Sequence, residues 1–166
     1  MNHFSLKDIA FHNPLIWKSY QFLHNLLKRK CIALVRTKDG FSMYVDILTS
    51  MAMQIIDGTH EPFEREILTR LVKKAMEVVD LGAHWGLYTL LAAKLVGSRG
   101  RVWSFEPDPY NYSLLARNIR LNGYSNVIPI RKAISNKLGS AKLFLAADTG
   151  SHTITGGLIA RIHSGS

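Results

Sequence analysis

An α/β fold built on a parallel sheet is predicted by three observations. From Val78 onward, strand-like and helix-like segments alternate: EVVDLGA, GLYTLLAAKLVG, RVWSFEP, NYSLLARNIRLNG and NVIPIRKAI, the cadence of consecutive βαβ units. The first of these strands runs into its helix through Asp80, Gly82 and Gly86 with no long loop between them. The second strand ends on an acid, Glu106, 26 residues after Asp80.

The remaining elements follow in chain order. The segment NPLIWKSYQFLHNLLKRK opens with Asn13 as N-cap and Pro14 at the first helical position, places Ile16, Tyr20, Leu23 and Leu27 on one face, and ends in Lys28, Arg29 and Lys30. Those residues suit an amphipathic helix with cations at the negative end of its dipole. Its basic and aromatic content also allows peripheral membrane contact through residues 14–30. CIALVRT and FSMYVDIL alternate with period two and are joined by Lys38, Asp39 and Gly40, which predicts a β-hairpin. EPFEREILTRLVKK has acids in its first turn and lysines in its last, the charge order of a helix. Gly97 and Gly100 stop the helix that follows the glycine bend, and Asn122 and Gly123 stop the next one. KLGSAKLFLAAD reads as a strand entered through a turn, and residues 149–166 as weakly patterned. Two regions are expected: an N-terminal helix and hairpin over residues 1–57, and the α/β domain over residues 58–166.

Composition narrows the function classes. A 166-residue chain with 47% hydrophobic and 20% charged residues can bury a core of its own. Cys31 is the lone cysteine, so no internal disulfide forms; it is expected in the core, in a reducing cytoplasmic setting. No apolar run reaches the roughly 18 residues of a spanning helix. His3, His12, His24, His60 and His163 lack the short spacing of a zinc site, so no metal is predicted. Ser151 beside His152 lies outside any G-x-S-x-G elbow. Residues 80–166 hold ten Lys and Arg against four Asp and Glu, residues 1–79 eleven against eight. The basic second half would attract anionic partners.

The junction at Asp80 describes a binding site. A buried parallel strand ending there delivers the chain to the carboxyl edge of the sheet, where open α/β folds bind ligands. Gly82 and Gly86 permit a sharp turn and close backbone approach, and the helix that follows presents free N–H groups. Glu106 is placed to accept hydrogen bonds from both hydroxyls of a ribose. A dinucleotide fingerprint would require glycines at positions occupied by His84 and Leu87, so the match to that cofactor class fails. S-adenosylmethionine, with an ammonium group for Asp80 and no pyrophosphate, fits the looser bend.

The stretch VVDLGAHWGLYTLLAAKLVGSRGRVWSFEPDPYNYSLLARNIRLNG, residues 78–123, closely resembles the FkbM-type methyltransferases, and the similarity spans roughly residues 58–155. The resemblance implies a Rossmann-like class I methyltransferase fold with a partial parallel sheet, preceded by the N-terminal helix and β-hairpin. It implies a cofactor loop of Asp80, Gly82, Ala83, His84 and Gly86, a ribose held by Glu106 and bordered by Asp108 and Asn111, and adenine bordered by Lys132 to Ile134, with Ala133 at its centre. Glu61 matches an acidic position that faces the pocket. His84 stands where the family usually has asparagine.

That family continues into further strands and helices beyond the similarity, so the edge of the first strand is expected to lie open. A self-association interface, the KLFLAAD strand or the hairpin would cover it. The implied activity is O-methylation of a sugar or other small hydroxylated metabolite. His152 and His84 are the histidines nearest the expected carboxyl edge, but each suits an ordinary loop position and no catalytic base is assigned. Two other functions compete: an RNA methyltransferase, supported only by the basic second half, and a catalytically incomplete binding module. With no RNA-binding signature or aromatic platform in the sequence, nucleic acid is not expected as a partner.

Overall fold

The computed structural model describes residues 30–136, the isolated helical Ser19, and the short strand pairs at 143–144 and 153–154. The chain divides into two compact units, Met1–Cys31 and Ile32–Ser166. Apart from Ser19 and Lys30, the helix expected over residues 13–30, with its membrane-facing role, lies outside the described residues, as does His152.

The second unit begins with the expected hairpin. Strands β1 (Ile32–Arg36) and β2 (Ser42–Asp46) pair antiparallel, Ile32 opposite Asp46 and Arg36 opposite Ser42. Gly40, at φ 86°, donates its N–H to Thr37 O, and Thr37 N–H bonds Phe41 O at 2.9 Å. Only an unsubstituted residue takes that left-handed position without strain. Helix α1 (Ser50–Asp57) follows, capped by the Thr49 hydroxyl on Ala52 N–H and ended by Gly58 in the left-handed conformation. Helix α2 (Pro62–Leu71) has proline in its first turn and buries no residue. Phe63, Ile67 and Leu71 are exposed along one stripe of it.

The main sheet has the order β3-β4-β5, all parallel, with β3 (Glu77–Leu81), β4 (Arg101–Phe105) and β5 (Val127–Ile130) connected by helices α3 (Leu87–Val96) and α4 (Pro109–Leu121). This is the predicted α/β architecture. Helix α3 is apolar nearly all round, and Leu87, Leu90, Leu91, Ala92, Ala93 and Val96 are buried, as expected of a helix enclosed by the core. The core joins α3 to Leu114, Leu115 and Ile119 of α4, Val102 and Val127 of the sheet, and Met43 and Val45 of the hairpin. A fully buried side chain of this kind contributes about 1.5–3 kcal/mol, so the hairpin is part of the domain's stability.

Polar contacts fix the hairpin on α4. Asn118 and Asn122, one turn apart, turn their carboxamides onto the outer edge of β2: Asn122 Oδ1 accepts from Ser42 N–H at 3.0 Å and Asn118 Oδ1 from Tyr44 N–H at 2.6 Å. Their amides donate to Ser42 O and Tyr44 O in return. Side chains thus imitate a neighbouring strand and close the edge. The Arg117 guanidinium lies over the Tyr44 ring at 3.5 Å, and Arg65 pairs with Asp39 in the hairpin turn at 2.6 Å.

Three sequence expectations need correction. Strand β3 is not buried on both faces: Val79 and Leu81 are each 59% exposed. In register with Trp103 and Phe105 of β4 and Ile128 and Ile130 of β5, they lie on the face opposite Val78, Val102 and Val127, which the helices cover. Cys31 is exposed, not in the core. The KLFLAAD segment pairs its strand β6 (Leu143–Phe144) antiparallel with β7 (Thr153–Ile154). Leu143 and Phe144 do not pair with β3, and the weakly patterned tail supplies their partner. Among the described residues β3 has one neighbour, β4. No helix among them is long and apolar enough to cross a membrane.

Candidate functional site

The carboxyl ends of the three parallel strands converge where the sequence places the site. Strand β3 ends at Leu81 and the chain turns through residues 82–86, where Gly82, His84 and Gly86 have φ of 80°, 52° and 96°. Three left-handed positions in five residues make a compact bend, and Gly82 and Ala83 hold it against β4 by donating to Phe105 O at 2.9 Å each. His84 is a non-glycine residue in this region, a conformation that costs about 1 kcal/mol or more and gathers at functional sites. A Cβ built on Gly82 meets nothing within 4 Å, so the space beside the bend is open.

Glu106, the residue after β4, connects this bend to the next loop. Its Oε2 accepts from His84 N–H at 2.7 Å and its Oε1 from Asp108 N–H at 2.8 Å. The residue is only 4% exposed, and burial pushes its carboxyl above the usual range. The two backbone donors offset part of that shift, and the neighbouring Asp108 and Asp80 add to it. Asp108 in turn caps α4 through Asn111 N–H at 2.7 Å, and Asn111 Oδ1 accepts from Trp85 Nε1 at 3.0 Å. Asp80, Gly82, Ala83, His84, Gly86, Glu106, Asp108 and Asn111 are therefore brought into one hydrogen-bonded neighbourhood.

Asp80 is tied down beneath the bend. Its carboxylate accepts from the Thr89 hydroxyl in the first turn of α3, and Thr89 Oγ1 is 2.9 Å from Ser104 Oγ on β4. Burial raises the Asp80 pKa, and the hydrogen bonds from Thr89 lower it in part. Glu61 sits apart, at the N-terminus of α2 with φ 43°, half-exposed, accepting from the Tyr88 hydroxyl at 2.5 Å. Burial and that carboxylate push the Tyr88 phenol far up. Ala133 follows β5, half-buried, beyond the carboxyl end of the sheet. Among the described residues no cluster of His, Cys, Asp and Glu could hold a metal ion.

Thr89, Ser104, Trp85, Tyr88 and Asn118 belong to this neighbourhood without having been singled out from the sequence. The available signal was a lone polar residue in an apolar run, threonine in LYTLLAAKL and serine in WSF. Thr89→Val, which keeps the shape and removes the hydroxyl, is expected to cost about 1–3 kcal/mol. The loss should shrink in acid. With the hydrogen bond gone, the raised Asp80 pKa rises further, so stability falls with increasing pH from the ordinary carboxyl value of 3.8 through the raised one. Urea titrations at neutral and acid pH check both.

A parallel sheet with a glycine bend after its first strand and a buried acid one strand over defines a Rossmann-like nucleoside-binding domain. Residues 35–144 match the TRM5/TYW2 methyltransferase domain, and the chain belongs to that family. TYW2 of Pyrococcus horikoshii, solved in complex with MeSAdo, superposes with a TM-score of 0.52 at 18% identity over 77% of this chain and 53% of that one. The Methanocaldococcus jannaschii tRNA m1G37 methyltransferase is also similar, with a TM-score of 0.49 and 19% identity over 68% of this chain and 33% of that one. The uncharacterized protein MJ1452 of the same organism is 32% identical over 63 residues, 38% of this chain. The chain spans about a quarter of that curated relative (23%) and about half or less of the two solved structures.

Two expectations are thereby overturned. The family is TRM5/TYW2 and not FkbM. Residues 78–123 carry only the bend and downstream acid, which different methyltransferase families build alike because they serve the same fold. The expectation that nucleic acid is not a partner is overturned as well, because the TRM5/TYW2 family to which the chain belongs acts on tRNA. The segments that carry the resemblance build the sheet and its loops, where no RNA-reading motif is needed.

Proposed function

We propose that this chain binds S-adenosylmethionine at the bend and serves the methylation of RNA, tRNA in the first place, in a cytoplasmic setting. The observation that carries the reading is the Glu106 carboxylate, 2.7 Å from His84 N–H at the turn and 2.8 Å from Asp108 N–H. Each of its oxygens uses one acceptor direction on the backbone and retains another for a ribose hydroxyl. The residues fit the group: the space at Gly82 is open, the acid is held rigidly, and Asp108 and Asn111 border it. When bound, the donor supplies an electrophilic methyl on a sulfonium. The chain's part is to orient the nucleoside through Glu106 and the bend, while Asp80 fixes the first turn of α3 beneath it. Methyl transfer is an in-line displacement whose acceleration comes largely from such positioning.

RNA is favoured over a sugar acceptor by the family and by the excess of Lys and Arg over residues 80–166. A second reading, a donor-binding module without transferase activity of its own, is favoured by the exposure of Val79 and Leu81 beside the site. Calorimetry with S-adenosylmethionine, followed by transfer of labelled methyl to unmodified tRNA and to a panel of hydroxylated metabolites, separates them. Saturable donor binding with label on tRNA is the expected result. Donor binding without transfer selects the module, and label on metabolites alone refutes the RNA reading.

A further inference from the structure

We infer that Asn118 is a positioning residue for the donor loop, and that it carries the conformation of the loop into the hairpin. This rests on the proposed cofactor site. Asn118 is fully buried and spends its whole carboxamide on two different parts of the chain. Its Oδ1 accepts from Tyr44 N–H at 2.6 Å, and its Nδ2 donates to Tyr44 O at 3.0 Å and to Trp85 O at 2.9 Å. Trp85 lies within the bend, between His84, whose N–H holds Glu106, and Gly86, which starts α3.

The same face of α4 supports the bend at two further points. Asn111 accepts from the Trp85 indole N–H, and Leu115 packs so closely on Gly86 that an added Cβ would lie 2.7 Å from its Cδ1. Asn118 also grips the hairpin, through both of its bonds to Tyr44. Moving the Trp85 carbonyl without losing a hydrogen bond requires moving the carboxamide, and the carboxamide is fastened to Tyr44. A buried carboxamide with both of its N–H hydrogens already engaged has no spare donor to take up the slack. The loop and β2 therefore shift together or not at all.

Asn122 provides the internal control. It clamps the same strand by the same device, at Ser42, but its remaining bond is to Asn118 O within α4, and it does not touch the loop. Asn118→Ala and Asn122→Ala should both lower the thermal midpoint, since each removes two hydrogen bonds to β2. Only Asn118→Ala should weaken S-adenosylmethionine binding, by about tenfold in Kd, with Asn122→Ala remaining within about twofold of the unsubstituted protein. Equal losses in the two variants, or no loss in Asn118→Ala, would overturn the inference. Should Asn118→Ala fail to fold, amide hydrogen exchange on the unsubstituted chain decides. S-adenosylmethionine should slow exchange at Tyr44 N–H more than at Ser42 N–H, and equal slowing refutes the coupling. Unsubstituted protein with no affinity for S-adenosylmethionine would instead remove the proposed cofactor site itself, a result distinct from either of these.

Discussion

Glu106→Ala is expected to abolish measurable S-adenosylmethionine binding and to destabilise the fold by roughly 2 kcal/mol. The first effect follows from removing a buried acid that is fastened to the bend through His84 N–H. The second is a difference of opposing terms. Truncation strands the N–H groups of His84 and Asp108, each worth about 1–3 kcal/mol when buried without an acceptor, and removes a carboxylate whose burial is itself unfavourable. Glu106→Gln preserves the volume but turns an amide nitrogen toward one of the two N–H donors, so it should lose nearly as much affinity as alanine. Calorimetry and urea unfolding on the three proteins measure both quantities. A Glu106→Gln protein that binds the donor normally would show that the carboxylate is structural only.

The pH dependence sharpens the same prediction. Burial raises the Glu106 pKa from 4.5, so the folded protein holds its proton to higher pH than the unfolded chain does. The contribution of Glu106 to stability is then most favourable below the unfolded value and declines as pH rises through the raised folded value. Donor affinity should run the other way. Ribose hydroxyls and the two backbone donors prefer the ionised acid, so the affinity weakens as pH is lowered through the raised pKa. Opposite slopes for stability and affinity over the same interval are the signature expected, and an affinity independent of pH there would count against Glu106 as the ribose acceptor.

Much of this site was legible because its parts are local or evenly spaced. The bend lies within residues 80–86, Glu106 ends the next strand, and parallel pairing of β3 with β4 brings the two together in register without any information from elsewhere in the chain. Helix α1 was not anticipated, although Thr49 and Gly58 bracket it as N-cap and left-handed terminator; eight residues give too short a periodicity to stand out beside the hairpin. The role of Asn118 was illegible for a different reason. Its partners Tyr44 and Trp85 are separated from it by 74 and 33 residues, and no pattern in a single sequence links a helix side chain to the edge of a distant hairpin. The family was misassigned because the segments that resemble FkbM proteins are those devoted to the nucleoside, whereas what distinguishes methyltransferases is the surface presented to the acceptor.

The two glycines of the bend should fail in different ways when replaced by alanine. At Gly86, φ is 96° and the new Cβ would stand 2.7 Å from Leu115 Cδ1, a side chain that is fully buried. Left-handed strain of about 1–2 kcal/mol adds to overpacking of about 1–3 kcal/mol. Gly86→Ala is therefore expected to lose roughly 2–5 kcal/mol of stability, a large part of what a domain of this size possesses. At Gly82, φ is 80° but the Cβ meets nothing within 4 Å, so only the backbone strain of about 1–2 kcal/mol applies. The methyl group would instead occupy the open space assigned to the donor. Gly82→Ala should thus unfold only slightly more easily than the parent while binding S-adenosylmethionine far more weakly, and Gly86→Ala should show its main loss in unfolding. Shortening Leu115 to alanine in the Gly86→Ala background should recover part of the steric cost, seen as non-additivity in a double-mutant cycle. If Gly82→Ala retains full affinity, the donor does not lie against the bend, and the site has to be sought elsewhere along the carboxyl edge of the sheet.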